Sequence, residues 1–136
     1  MIDWDKFNDY LGSFETSFII ELIDLFIDNY PQQIATLKNN VEEMNYPRLD
    51  INAHSLKTNC ASFGDMESAK YAFNLELMGK NRVDSNVKLI NSASWTQLEK
   101  YGASNADESI HEVFAHFINS TENLIRELEQ YKEQHS

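Results

Sequence analysis

The chain has one cysteine in 136 residues, so it can form no internal disulfide and suits a reducing compartment. Two prolines and four glycines leave few breaks in the backbone and room for long helices. Basic residues are scarce, 11 Lys and Arg against 22 Asp and Glu, a formal net charge of −11. That balance argues against nucleic acid, whose binders cluster cations to displace counterions. It argues equally against an anionic membrane surface. No apolar run reaches the roughly 20 residues of a membrane span. The N-terminus lacks a basic segment followed by an apolar one, so no export leader is read there. There is no Gly-rich phosphate loop, nucleophile elbow or paired Cys-x-x-Cys, which removes the usual nucleotide and hydrolytic sites. A soluble, acidic, cytoplasmic protein is expected.

What is present is apolar and periodic. Hydrophobic content of 42% with 12% aromatics marks a folded chain. The length suits one domain over residues 1–136 with a single core. Residues 2–11 read as a short amphipathic helix with Trp4, Phe7 and Leu11 on one side. It either caps the end of a bundle or keeps part of its apolar face open for docking. From Phe14 the pattern is helical and unusually apolar, with a narrow polar stripe at Ser17, Glu21, Asp24 and Asp28. Pro31 is expected to kink or split this helix. The pattern resumes through Ile34, Leu37 and Val41, and ends at Met44-Asn45-Tyr46-Pro47, with Pro47 placed for the next helix start.

The next helix carries the most informative stretch, Ala53-His54-Ser55-Leu56-Lys57-Thr58-Asn59-Cys60-Ala61-Ser62-Phe63-Gly64. At roughly 100° per residue, Leu49, Ala53, Leu56, Cys60 and Phe63 form a core-facing seam. His54 projects well off that seam and shares its side with Asp50, Lys57, Thr58 and Ala61, its neighbours one turn away. Gly64 ends the helix in the left-handed conformation of a C-terminal cap. Asp65 then caps a helix that runs to Met78, with Gly79 as its stop. On that helix Ala69, Phe73, Glu76 and Lys80 share one line, so Glu76 extends an apolar stripe with a carboxylate.

Residues 81–106 read as an insertion rich in Asn and Ser, with one short helix from Trp95 to Tyr101 that Ser94 and Gln97 cap and Gly102 ends. Trp95 is expected to bury or to form a contact. A last helix runs from about Asp107 to Tyr131, its seam held by Ile110, Val113, Phe114, Phe117, Thr121, Leu124 and Leu128. Two histidines in it, His111 and His116, are five apart rather than four, which turns them off a common face and excludes a metal motif. Asn119-Ser120-Thr121 matches a glycosylation acceptor but lies mid-helix in a chain without an export signal. The fold expected is all-α: an antiparallel up-down four-helix bundle with a short additional N-terminal helix and an insertion before the last helix.

Alone, a histidine beside a core seam is most often a packed or solvated bystander. Here the run His54-Ser55-Leu56-Lys57, small residues, then Phe63-Gly64, resembles the signature of histidine-containing phosphotransfer domains. The resemblance covers about residues 2–130 except the insertion, and its specificity rests on residues 53–64. It implies that His54 is a phosphoryl acceptor, that Lys57 stabilises phosphoryl charge, and that Glu76 orients the imidazole. It places Thr58, Ala61 and Lys80 at the partner-binding surface, Lys80 adding positive charge. The implied partners are receiver domains of response regulators or hybrid histidine kinases, which supply the magnesium; the chain itself needs no cofactor and is expected as a monomer. The family has Gly where this chain has Thr58, a stiff β-branched residue that partly shadows the ring. Two other readings remain open: a phosphorylation-independent helical adaptor using the apolar face of residues 18–30, and the substrate module of a larger histidine kinase. Met1 and the compact length favour a stand-alone chain.

Overall fold

The computed structural model describes residues 1–85 and 107–136. The expected helix at Trp95–Tyr101, with Ser94, Gln97, Gly102 and the fate of Trp95, lies outside those residues. Five helices are described: α1 Trp4–Leu11, α2 Thr16–Glu42, α3 Tyr46–Ser62, α4 Met66–Asn81 and α5 Ile110–His135. The fold is all-α, as the periodicity required. α2 packs on α3 and α5, α3 packs on α4, and α4 packs on α5, closing a ring of four long helices. α1 lies across the end of α3.

Each helix starts where a side chain can satisfy orphan backbone donors, except α2. Asp3 accepts from the N–H groups of Asp5 and Lys6, and Asn45 from Arg48, with Pro47 in the first turn of α3. Asp65 accepts from Ser68 N at 3.1 Å, as expected. Ser109 and Glu112 form a reciprocal capping box, so α5 begins at Ile110 rather than Asp107. Ile110 N also donates to Asp84 O at 2.7 Å, which ties the segment after α4 to the start of α5.

Two punctuation readings are corrected. Pro31 does not split α2, which runs unbroken from Thr16 to Glu42. One backbone bond is lost there. Ile19, Ile23 and Phe26 before it, and Leu37 and Val41 after it, are buried in the same core and hold both halves in register. Gly79 does not stop α4, which continues to Asn81 and closes on Arg82 in the left-handed region. A Cβ at Gly79 would lie 2.7 Å from Asp50 N and 2.8 Å from Tyr46 O. Its hydrogen lets α3 and α4 approach backbone to backbone.

The seams are buried as read: Leu49, Ala53, Leu56, Cys60 and Phe63 on α3, and Ile110 through Leu128 on α5. Beneath them runs a polar thread. Asp65 is fully buried and accepts from Ser68 Oγ at 2.5 Å, and that hydroxyl meets Ser120 Oγ at 2.6 Å. Burial pushes the Asp65 carboxyl above its ordinary range, against the opposing pull of the Ser68 bonds. The native state therefore holds this proton more tightly than the unfolded chain. Stability from this group is fully present below the ordinary carboxylate range and is lost as pH rises through the raised native value. Asp65→Asn keeps a capping acceptor and removes the charge. Its melting temperature should exceed the parent's at neutral pH by roughly 3 °C, the shift that about 1 kcal/mol produces in a domain of this size. The gap should close on acidification, and thermal melts across pH check it; a gap that widens in acid would contradict the burial argument.

Candidate functional site

The site begins with the phase of α3. Because Ala53 and Leu56 face inward, His54 falls on the rim, with its side chain 60% exposed. The Schellman turn that ends α3 fixes this phase from below: Gly64 N donates to Ala61 O and Asp65 N to Cys60 O. Gly64 has φ +79° and sits against α1, where a Cβ would come within 2.6 Å of Asp3 O.

α4 brings up the partner. Its close crossing at Gly79 sets Glu76, one turn earlier, against α3. Glu76 Oε1 hydrogen-bonds Nδ1 of His54, and its side chain is only 2% exposed. The carboxylate also meets Lys57 Nζ, 3.0 Å from Oε2 and 3.3 Å from Oε1. Lys57 lies 4.8 Å over the ring of Phe73. Position by position, Asp50, His54 and Lys57 ascend α3 as Gly79, Glu76 and Phe73 descend α4, so these two helices run in opposite senses. A buried carboxylate is tolerated only when paired and hydrogen-bonded, and Glu76 is both. It is not the solvated glutamate common near helix ends.

This geometry selects a tautomer. A carboxylate accepts and does not donate, so Nδ1 of the neutral ring carries the hydrogen and Nε2 keeps its lone pair. Nε2 has no hydrogen-bond partner among the described residues, and the ring stands in solvent. The arrangement is an oriented nucleophile with its reactive edge outward.

The other residues singled out divide. Thr58 is exposed one turn from His54, and its hydroxyl donates to His54 O at 3.1 Å. Ala61 is half-buried against the core. Lys80 is exposed and joins neither Glu76 nor His54. His54, Lys57 and Glu76 come together; Lys80 stays outside. His116 is engaged elsewhere, its Nε2 3.0 Å from Glu108 and its ring stacked on Tyr71.

Between α1, α2 and α3 lies a largely apolar groove of about 370 Å³, lined by Tyr10, Phe14, Leu22, Leu25, Phe26 and Phe63 with Asn29, Gln33, Asn59 and Ser62 among them. The apolar surface of α1 and α2 is buried in part and exposed in part. Phe7 and Leu11 cap the core, and Trp4 packs on Phe7 and Tyr131. Tyr10, Phe14, Phe18 and Leu25 remain exposed. Sequence reasoning missed the structural part of Gly79 and the aromatic floor that Phe73 gives Lys57. The spacing did carry a signal, since Phe73, Glu76 and Gly79 recur every three residues.

No described helix is long and apolar enough to cross a membrane. Comparison with protein-family models, with curated proteins and with solved structures returns no match.

Proposed function

We propose that this chain is a phosphorelay intermediate of the histidine-phosphotransfer type, carrying a phosphoryl group on His54 between aspartates of receiver domains. The observation that carries the reading is the pairing of a buried Glu76 carboxylate with Nδ1 of an exposed ring, which leaves Nε2 open. In the forward step the Nε2 lone pair forms a bond to phosphorus as the aspartyl O–P bond breaks. The aspartate leaves as carboxylate with the electron pair, and Nδ1–H stays on the ring. The receiver supplies magnesium and the acidic pocket, and the carrier makes no turnover of its own. Partners are receiver domains of response regulators or hybrid histidine kinases. The carrier acts as a cytoplasmic monomer.

Thr58, one turn from His54, and Ala61, two turns on along the same side of α3, meet the docking receiver. Thr58→Gly should speed transfer by roughly threefold by clearing the approach, while destabilising the helix by about 0.4 kcal/mol, the gap between a β-branched residue and Gly. Stopped-flow transfer rates beside urea melts separate the two effects, and a slower variant would refute shadowing by Thr58. Incubation with receivers charged by acetyl phosphate tests the reading itself: acid-labile, base-stable label on this chain supports it, and absence of label from every receiver of the same genome opposes it.

The exposed Phe14, Phe18 and Leu25 favour a second reading, a phosphorylation-independent helical adaptor. Partner capture that survives loss of His54 and needs no phosphoryl donor would favour that adaptor.

A further inference from the structure

The ammonium of Lys57 is held where it meets a carboxylate before it meets a phosphoryl group. Its side chain is 12% exposed, ion-paired to Glu76 and seated over Phe73. Glu76 joins Lys57 through both oxygens and His54 through Oε1, and neither Glu76 nor His54 makes an ion pair with any further described residue. Asp50, one turn before His54, and Lys80, one turn after Glu76, are the nearest other charges along these helices, and neither enters the cluster. No ion pair reaches His54 or Glu76 from α1, α2 or α5 among the described residues.

A carboxylate against Nδ1–H, with nothing to balance it, favours a second proton on the ring, because an opposite charge stabilises the imidazolium. An imidazolium has no lone pair on Nε2 and cannot attack phosphorus. A cation on the same carboxylate cancels much of that pull and leaves the orienting hydrogen bond in place. We propose that Lys57 is a positioning residue that acts on His54 through Glu76, balancing the buried carboxylate so that it orients a neutral ring with Nε2 open. The assignment rests on the phosphoryl-carrier reading for its purpose, but its test needs no phosphoryl group.

The same balance shapes the product. Attack by the neutral ring moves no proton, so the phosphorylated ring holds both Nδ1–H and the N–P bond and is cationic beside Glu76. Lys57 weakens that stabilisation and keeps the phosphoryl group transferable. Removing it should raise the fraction of phosphohistidine at equilibrium with a receiver. A lysine that touched the phosphoryl oxygens directly has the opposite sign, because its loss would lower that fraction.

The decisive experiment is nitrogen NMR of the ring of His54 in the unphosphorylated full chain, as a double-mutant cycle of Lys57→Met and Glu76→Gln. With Glu76 present, Lys57→Met should raise the imidazolium-to-neutral ratio by about tenfold, the effect of a unit charge roughly 5 Å away at an effective dielectric of about 50, between the protein and water values, as suits a side chain 60% exposed. With Gln at 76, the same substitution should change the ratio by less than about twofold. Lys57→Gln serves if the Met variant fails to fold. An unchanged ratio in the single variant overturns the proposal, and so does an equal change in both backgrounds.

Discussion

His54→Gln should leave a folded, helical protein that accepts no phosphoryl group. Gln has good helix propensity, and the position is exposed, so the stability change should stay within about 0.5 kcal/mol. Its carboxamide offers an N–H to Glu76, and Lys57 remains on the carboxylate, so the buried charge keeps partners. What disappears is the one imidazole among the described residues that is held by a carboxylate only 2% exposed. His116 is tied to Glu108 and stacked on Tyr71, and His135 is bonded through Nδ1 to Tyr131 O. Acid-labile label from a phosphorylated receiver should fall by roughly 100-fold or more, because no covalent route remains without the nucleophile. Circular dichroism with phosphotransfer gels checks both halves. Label that persists would remove His54 from the acceptor role.

Gly79→Val should be the most destabilising single change near the site. Its Cβ would stand 2.7 Å from Asp50 N and 2.8 Å from Tyr46 O, and both are backbone atoms in the first turns of α3 that cannot swing aside. Separating the two helices opens the packing around Leu49 and Ala53, both fully buried. Overpacking of this kind typically costs about 1–3 kcal/mol, and a β-branched residue against two fixed backbones belongs at the top of that range. Gly79→Ala should fall lower, because the gain in helix propensity offsets about 1 kcal/mol. The functional consequence follows from position. Gly79 lies one turn from Glu76, so forcing α4 outward withdraws the carboxylate from His54 and Lys57. Urea unfolding should show Val worse than Ala. The His54 ring signal in the Ala variant should shift toward that of Glu76→Gln. Two stable variants with an unchanged ring signal would show that the close crossing does not set the site.

Much of this was legible in the sequence because it is local. The α3 seam, the phase of His54, the Asp65 cap and the left-handed Gly64 all follow from spacing within one or two turns. Glu76 was legible as a carboxylate on an apolar line, and the resemblance gave it a reason to face the ring. Gly79 was not, because a glycine after a helical run signals equally a stop and a close approach, and only the opposing helix decides. Pro31 was legible only in part: local backbone rules allow a kink or a split, and burial on both sides of it keeps the helix unbroken. Lys57 was placed on the correct face, yet a side chain with four rotatable bonds ends wherever its partner stands. That partner, Glu76, is 19 residues away.

The most direct test is a long-range proton–nitrogen correlation spectrum of the full chain after charging by a phosphorylated receiver. The expected result is phosphorus on Nε2 of His54, with Nδ1 still protonated and hydrogen-bonded to Glu76. Phosphorus on Nδ1, on His111, His116 or His135, or on no histidine at all, would contradict it.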